Sequence, residues 1–307
     1  LFKNIKLVQS MSSHSETLSH LSIVRKISAS KYPVYLATEK QSKQQVAVKT
    51  FPLKDKNYQK EKTILKTLDH PHIVKFRAAL DDVSFLNHKG SCLELEFAPF
   101  GDLLDLIQSC GRMPENLTRT LFHQLLDALS YLHEQNVAHL DVKVDNLLID
   151  RDYELKLTDF DLSQEMSSMK LESRGTPGSR APEIVTGACE DFKAADVYSA
   201  AVVLFTLISG SPPYAEVGKG KNLEFDVYYK TYRIHPEKFW NAHSKHKRDV
   251  NFYSPEFKDL FTKMLEEDPS KRATIEEVKQ SRWYNGPILD KEEFRAEMRR
   301  YISQAEN

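Results

Sequence analysis

Hydrophobic and polar positions alternate in the first third of the chain, from residue 21 to residue 97. Branched and aromatic residues come here in short runs separated by polar turns, a pattern that is typical of antiparallel strands. Within residues 58–68, Glu61, Leu65 and Leu68 instead recur at spacings of four and three on one face, which predicts one helix that Pro71 ends, with the Glu61 carboxylate facing the sheet. The predicted strands are residues 21–27, 34–38, 45–51, 73–80 and 91–97.

Helical periods dominate the second half. Leucines from position 117 to position 132 mark a long amphipathic helix, and residues 195–209 predict a nearly all-apolar helix that ends at Gly210 and has to be buried. The stretch 212–253 is polar and is predicted to be irregular. Further helices with a Ser or Thr cap are predicted at residues 254–265 and 274–280.

The C-terminal segment 288–302 combines an apolar helical face with three arginines. A basic amphipathic helix is typical of an autoinhibitory or calmodulin-binding tail, but acidic residues dilute the positive charge here. We therefore favour a helix that packs on the protein, with binding of calmodulin or a regulatory subunit as the alternative. The apolar face is Phe294, Met298, Tyr301 and Ile302, and the arginines are Arg295, Arg299 and Arg300.

The composition narrows the choice of partners and compartments. The 307 residues are 40% hydrophobic and 28% charged, which is enough for one large core or two smaller ones. The net charge of -1 predicts neither nucleic acid nor a membrane surface as an obligatory partner. The three cysteines are widely spaced and the apolar run 200–208 is short, so we expect no zinc site, no disulfide and no membrane span. The predicted location is the cytoplasm or the nucleus.

A cluster of charged and polar residues follows the long predicted helix. The sequence His139-Leu140-Asp141-Val142-Lys143-Val144-Asp145-Asn146 brings a carboxylate, an ammonium group and a carboxamide together, which suits the handling of phosphate and metal. Asp159 ends an alternating segment 18 residues after Asp141. Two more motifs complete the pattern: Val46-Ala47-Val48-Lys49 upstream, and Gly175-Thr176-Pro177 leading to Ala181-Pro182-Glu183 downstream.

These motifs, in this order, resemble the signature of the eukaryotic serine/threonine protein kinase family. The resemblance covers about residues 21–284 and is nearest, within the family, to the calcium/calmodulin-dependent and AMP-activated kinases. It implies an α+β bilobal fold with a small antiparallel β lobe that carries one helix and a larger, mainly helical lobe. The implied divisions are a leader at 1–20, partly expression-derived or processed, an N-lobe at 21–97, a C-lobe at 98–285 and a helical tail at 286–307.

The resemblance also implies a reaction, the transfer of the γ-phosphate of ATP to a serine or threonine of a protein, with magnesium as cofactor. Lys49 would contact the α- and β-phosphates and pair with Glu61. Asp141 would accept the proton of the substrate hydroxyl, and Lys143 would steady the γ-phosphate. Lys143, two residues after Asp141, and Thr176 are typical of serine/threonine kinases rather than tyrosine kinases.

The other site residues are implied by the resemblance alone. Asn146 and Asp159 would hold magnesium, which prefers oxygen ligands. Glu183 and Arg272 would form a buried ion pair, and Asp196 would brace the catalytic loop. The implied nucleotide contacts are Val34, Ala47 and Leu148 around adenine, Leu95 as gatekeeper, Glu96 and Ala98 in the hinge, Asp102 at the ribose, and Ser28 and Ser30 in the phosphate loop.

The sequence departs from the family where a glycine-rich loop is expected. Residues 27–34 read Ile-Ser-Ala-Ser-Lys-Tyr-Pro-Val, without glycine and one residue short. Glycine lets the backbone approach phosphate closely, so we expect weak ATP binding. Two functions remain open: an active kinase with an unusual loop, or a pseudokinase that binds partners with little or no transfer. We favour activity because Lys49, Glu61, Asp141, Asn146 and Asp159 are all present.

A second departure concerns regulation. Leu140 replaces the arginine that in many family members gathers a phosphate on the activation segment. The position that is commonly phosphorylated holds Glu172. The sequence therefore predicts activity without phosphorylation of this segment, with phosphorylation of Ser167, Ser168 or Ser173 as the alternative.

Overall fold

The computed structural model describes residues 18–28, 30–85, 88–167, 175–214, 227–249 and 251–305. They form two compact units. The small unit contains the described residues up to Lys62 together with Phe76–Phe97, and the large unit contains Thr63–Lys75 and the residues from Ala98 onward. Most of the predicted leader lies outside the described residues.

The small unit is built on a five-stranded antiparallel sheet with the strand order β1-β2-β3-β5-β4. Val34 pairs with Lys49 across β2 and β3, and Lys49 pairs with Leu93 across β3 and β5. Helix α1, Lys56–Leu65, follows β3. The strands are β1 Leu21–Ser28, β2 Val34–Glu39, β3 Gln45–Pro52, β4 Phe76–Phe85 and β5 His88–Glu96.

Several predicted boundaries in this part of the chain are wrong: β4 ends at Phe85 rather than at residue 80, and β5 begins at His88 rather than at residue 91. Helix α1 ends at Leu65, three residues before the predicted end, although Leu68 remains buried in the following turn. The predicted strand at 73–80 begins only at Phe76, because Ile73 forms an isolated parallel bridge with Leu157 of the large unit to which it belongs. Ile73 is buried, but its bridge partner Leu157 lies far away in sequence.

The large unit is mainly helical, as predicted. Its strands are short and serve to fix loops between helices: β6 Val137–Ala138 pairs with β9 Gln164–Glu165, and β7 Leu147–Ile149 pairs with β8 Leu155–Leu157. Its helices are α2 Leu103–Cys110, α3 Glu115–Glu134, α4 Pro182–Thr186, α5 Phe192–Ser209, α6 Val227–Ile234, α7 Pro236–Lys247, α8 Pro255–Met264, α9 Ile275–Gln280 and α10 Lys291–Ala305.

Helix α5 forms the centre of the large unit. It is apolar on all sides and ends at Gly210 in the left-handed conformation, as the sequence predicts. By length and composition it could cross a membrane, yet 94% of it is buried inside the protein. A helix that is covered on all sides by protein is a core helix. The caps predicted for α8 and α9 are also present, at Ser254 and Thr274.

The prediction of an irregular stretch at 212–253 is wrong, because α6 and α7 lie within it. Pro236 occupies the first turn of α7, where a missing N–H has no cost. The helix is held by aromatic packing: the Phe239 ring lies 5.8 Å from the Phe205 ring, and Trp240 lies 5.2 Å from Tyr253. The average composition of residues 212–253 is polar, but the segment contains a few large aromatic side chains, such as Phe239 and Trp240, that anchor α7.

Helix α10 packs on α2 and α3 through the predicted apolar face, since Phe294, Met298, Tyr301 and Ile302 are all buried. The Tyr301 hydroxyl donates a hydrogen bond to the Arg112 carbonyl at 2.5 Å. On the outer side of the helix, the Arg299 guanidinium lies 5.6 Å from the Tyr153 ring centroid. This arrangement agrees with the packed-helix interpretation of the tail.

Truncation after Pro287 is therefore expected to destabilise the protein rather than to activate it. Each of the four buried side chains of the tail contributes about 1.5 to 3 kcal/mol, so the Tm should fall by roughly ten degrees or more. Met298→Ala, which removes a fully buried side chain, should reproduce part of the loss in thermal unfolding. Glu292→Ala on the exposed face of the same helix is the control. A several-fold rise in activity with an unchanged Tm would favour an autoinhibitory tail.

Candidate active site

The loop that carries the predicted catalytic residues is held by hydrogen bonds to Asp196 of α5. Its carboxylate accepts hydrogen bonds from the backbone N–H groups of His139 at 2.9 Å and Leu140 at 2.8 Å. A third contact joins the same carboxylate to the His133 ring at 2.9 Å. Asp196 is fully buried, and burying a carboxylate without partners would cost much free energy. These contacts satisfy the carboxylate, and they lie where the implied bracing of the loop requires them.

Leu140 has a backbone conformation that side chains rarely adopt. Its φ is +62°, and its side chain is buried. A left-handed residue other than glycine costs about 1 to 3 kcal/mol and persists where its surroundings hold it. Here the bond from Leu140 N–H to Asp196 holds it. Gly175 approaches the same turn so closely that a Cβ atom on it would lie 3.0 Å from the Leu140 carbonyl oxygen.

Asp141, Lys143 and Thr176 form one hydrogen-bonded cluster in the large unit. The Thr176 hydroxyl donates to Asp141 Oδ1 at 2.5 Å and accepts from Lys143 Nζ at 2.7 Å. Lys143 Nζ also lies 2.9 Å from Asp141 Oδ2. The Asn146 amide nitrogen donates to the Asp141 backbone carbonyl at 2.8 Å and to its Oδ2 at 3.1 Å. Four residues predicted for one site therefore meet.

The electrostatics of this cluster keep Lys143 charged. Burial alone would lower the pKa of Lys143, but the Asp141 carboxylate, with Asp145 and Asp159, outweighs that effect and raises the pKa above its ordinary value. Lys143 therefore stays a cation beside the Asp141 carboxylate, where it can offset negative charge that comes close to it.

His139 links the two acidic residues of the site. The Asp141 N–H donates to Nδ1 of its ring at 3.3 Å, so Nδ1 is unprotonated and Nε2 carries the hydrogen that is donated to the Thr158 carbonyl at 3.0 Å. Thr158 directly precedes Asp159, whose φ is +66°. Burial lowers the pKa of His139 below its ordinary value. The neutral ring thus holds the loops of Asp141 and Asp159 in fixed relation.

Acidification is expected to destabilise the protein through this histidine. A folded-state pKa below 6.5 means that the unfolded chain binds the proton first, so stability is present above about pH 6.5 and is lost as the pH falls below it. His139 alone accounts for up to about 1.4 kcal/mol between pH 7.5 and pH 5.5. Urea unfolding at the two pH values measures this difference, and His139→Asn should reduce it. An unchanged difference in that variant would show that His139 does not cause it.

The small unit supplies Lys49 and Glu61. Lys49 Nζ lies 2.8 Å from Glu61 Oε1 and 2.7 Å from Oε2, and both side chains are buried. The β3 register turns Lys49 toward α1, whose Glu61 occupies the predicted inward face. A buried pair of this kind fixes the ammonium position, because neither charge is stable there without the other. The pair that the resemblance implied is present in the structure.

The residues implied for the adenosine contacts belong to both units, and each is placed on its own element. In the small unit, Ala47 pairs with Leu95 across β3 and β5, and both are nearly buried. In the large unit, Asp102 caps α2 by accepting the Asp105 N–H at 2.9 Å and forms a bridge with Leu148. Burial raises the pKa of Asp102. Val34 begins β2, Glu96 ends β5 and Ala98 is the first residue of the segment that continues the large unit.

The turn between β1 and β2 replaces the missing glycine-rich loop. Ser28 Oγ accepts the Ser30 N–H at 3.3 Å, and the Ser30 hydroxyl donates to the Tyr32 carbonyl at 3.1 Å. The hydroxyl hydrogen of Ser30 is therefore engaged within the turn. Tyr32 itself is 3% exposed, a burial that the sequence reasoning missed. The sequence feature that could have indicated this burial is the aromatic residue directly before Pro33, in a stretch without glycine.

Two further sets of predicted positions lie outside the catalytic cluster: the Glu183–Arg272 pair and the activation segment. Arg272 pairs with Glu183, Nη1 to Oε1 at 2.5 Å and Nη2 to Oε2 at 3.0 Å, and both side chains are buried. Of the activation-segment positions, Ser167 is exposed, whereas Ser168, Glu172 and Ser173 lie outside the described residues. Independence from phosphorylation of this segment stays a prediction.

Comparison with known proteins decides the family. The family model for the protein kinase domain matches residues 30–284. The chain belongs to the protein kinase family. CBL-interacting protein kinase 11 of Oryza sativa subsp. japonica is 32% identical over 268 residues, which cover 83% of this chain and 49% of that protein. CBL-interacting protein kinase 26 of the same organism is 33% identical over 264 residues, with 82% and 49% covered.

The comparisons confirm the resemblance to the protein kinase family and the bilobal kinase fold that the motifs predicted. They are also consistent with the predicted nearness to the calcium/calmodulin-dependent and AMP-activated kinases. The kinase chain spans about half the length of the curated relatives it matches. Activity, substrates and partners of the whole protein are therefore matters for proposal.

Proposed function

We propose that this kinase transfers the γ-phosphate of ATP to serine or threonine hydroxyls of proteins in the presence of magnesium. The observation that carries the proposal is the cluster of Asp141, Lys143 and Thr176, in which a carboxylate, a cation and a hydroxyl lie within 2.5 to 2.9 Å of one another. Both relatives are named protein kinases, which supports the same reaction class.

The chemistry follows from the partners of each group. Asp141 orients the substrate hydroxyl and accepts its proton as the new O–P bond forms and the bond to the leaving ADP oxygen breaks. Thr176 and Lys143 hold the carboxylate in place from two sides. Lys143 also offsets negative charge that accumulates on the transferred group, and Lys49 does so for the α- and β-phosphates. These groups position reactants more than they react themselves.

The donor set fits magnesium. The Asn146 amide nitrogen is directed at Asp141, so its carbonyl oxygen is the atom that would ligate a metal, and Asp159 would supply a carboxylate. Among the described residues, no group of three or more His, Cys, Asp or Glu side chains is arranged to hold a metal ion. Magnesium keeps several waters and needs few protein ligands. When bound, the ion would neutralise charge on the phosphates.

The absence of loop glycines leads to an expected binding pattern. ATP should gain little affinity over adenosine, because each charge-assisted bond that the loop fails to make forfeits about 1.5 to 3 kcal/mol. Calorimetric titrations with ATP and with adenosine, both with magnesium, measure the difference. Ser30→Ala is the matched control and should bind ATP as the wild type does, because the Ser30 hydroxyl hydrogen is directed at Tyr32. ATP binding far tighter than adenosine would contradict this view of the loop.

A pseudokinase that scaffolds partners is the second candidate, favoured only by the altered loop. The test is transfer of labelled phosphate from ATP to a generic basic protein, with and without EDTA. The kinase proposal expects label that magnesium removal abolishes, and the pseudokinase alternative expects none under either condition.

We further propose a regulatory partner, since the relatives are named as CBL-interacting, and a cytoplasmic or nuclear location.

A further inference from the structure

Tyr32 lies in the turn between β1 and β2, and its side chain points into the small unit. The ring is 3% exposed and its centroid lies 4.6 Å from that of Phe51 on β3. Phe51 in turn lies 5.4 Å from Tyr58 on α1. Three aromatic rings from the turn, the sheet and the helix therefore form one continuous cluster, in which neighbouring ring planes are tilted by 36° and 54°.

The hydroxyl of Tyr32 reaches the start of α1. It lies 3.2 Å from both carboxylate oxygens of Asp55, to which it donates. Asp55 Oδ1 also accepts the backbone N–H groups of Asn57 at 2.8 Å and Tyr58 at 3.3 Å. Those N–H groups belong to the first turn of the helix and have no partner within it, so Asp55 is the N-terminal cap. One carboxylate thus joins the turn to the helix.

The backbone of the turn is also fixed to β3. The Pro33 carbonyl accepts both the N–H and the hydroxyl of Thr50, at 2.9 and 3.0 Å. Pro33 restricts its own φ, which reduces the freedom of the turn further. Lys49 neighbours Thr50, and its Nζ lies 5.6 Å from the Tyr32 ring centroid. The described part of the turn, residues 30–33, is therefore held by protein contacts at the position where the family has a glycine-rich loop.

We propose that Tyr32 is a positioning residue that locks the β1–β2 turn to the cap of α1 and so keeps Glu61 paired with Lys49 without bound nucleotide. This inference rests on the proposed function for its kinetic consequence. A purely apolar role would need only the ring, which phenylalanine supplies equally well. The hydroxyl, shared between the two oxygens of a capping carboxylate, is the part that couples the turn to the helix.

Tyr32→Phe tests the coupling because it keeps the ring contacts and removes one oxygen. Amide hydrogen exchange of residues 56–65, measured without nucleotide, should become roughly three- to tenfold faster. Tyr284→Phe is the matched control: Tyr284 is also a nearly buried tyrosine, it belongs to the large unit, and the change should leave exchange in residues 56–65 unaltered. Unaltered exchange of α1 in Tyr32→Phe would overturn the proposal.

A double-mutant cycle identifies the partner. In an Asp55→Ala background the helix has lost its cap, so adding Tyr32→Phe should have no further effect on the exchange of α1. Asp55→Asn keeps a capping oxygen and an acceptor for the hydroxyl, and should resemble the wild type. Equal effects of Tyr32→Phe in the wild-type and Asp55→Ala backgrounds would show that the hydroxyl acts elsewhere and would also overturn the proposal.

The kinetic readout separates positioning from loss of folded protein. If only a fraction of the molecules hold the Lys49–Glu61 pair, the KM for ATP rises by the inverse of that fraction, while kcat at saturating ATP stays nearly constant. Misfolding would instead lower kcat at constant KM and would count against the inference. Because hydrogen exchange needs no catalysis, a failed kinase assay with faster α1 exchange refutes the proposed function and leaves the coupling supported.

Discussion

Asp141→Asn is expected to lower kcat by about 10² to 10⁴-fold, the usual contribution of a positioned general base. The substitution preserves size and leaves an oxygen that can accept from Thr176 or Lys143, whose bonds to Asp141 measure 2.5 and 2.9 Å. What it removes is the negative charge and the ability to take the proton. Initial rates at saturating ATP and magnesium measure the effect on chemistry rather than on binding.

The control for this variant is an aspartate without a role at the site. Asp259 is exposed on α8 and pairs with Lys263, so Asp259→Asn should retain the wild-type rate. The melting temperature of Asp141→Asn should stay within a few degrees of the wild type, which excludes unfolding as the cause. Equal rates for the wild type and Asp141→Asn would refute the assignment of the catalytic base.

Arg272→Ala is expected to lower the free energy of unfolding by about 3 to 5 kcal/mol, as is typical when one partner of a buried ion pair is removed. The guanidinium meets both oxygens of Glu183 and also donates to the carbonyls of Ala194 at 2.8 Å and Glu266 at 2.8 Å. Truncation leaves a buried carboxylate without its cation and removes the hydrogen bonds to these two carbonyls. Urea unfolding at pH 7 measures the loss.

Two further variants separate the causes of that loss. Arg272→Lys keeps the charge but cannot bind both carboxylate oxygens in a fork, so it should give an intermediate value. Lys263→Ala breaks an exposed pair with Asp259 and should cost only about 0 to 1 kcal/mol. A loss below about 1 kcal/mol for Arg272→Ala would mean that the Glu183 contact contributes no more than a surface pair.

Much of the site could be predicted because the chain itself brings its members together. Asp141, Lys143 and Asn146 lie within six consecutive residues, so any compact loop places them side by side. Glu61 was found from its position on the inward face of a periodic helix. Thr176 and Asp196 lie 35 and 55 residues from Asp141, and only the resemblance to a family could place them at the same loop.

The remaining features depend on tertiary packing that a local pattern does not encode. The left-handed conformation of Leu140 is imposed by Asp196, which is distant in sequence. Helix α7 depends on aromatic rings contributed by α5 and α8. The burial of Tyr32 depends on Phe51 and Asp55 together. In each case the sequence shows the residue, but its partner becomes evident only in the folded chain.

The most direct test of the central claim is a set of four matched basic peptides that differ only in the acceptor residue, Ser, Thr, Tyr or Ala, incubated with labelled ATP and magnesium. We expect label on the serine and threonine peptides, none above background on the tyrosine and alanine peptides, and a loss of about 10² to 10⁴-fold with Asp141→Asn. Label on the tyrosine peptide alone, or label on no peptide while ATP still binds, would contradict a serine/threonine kinase.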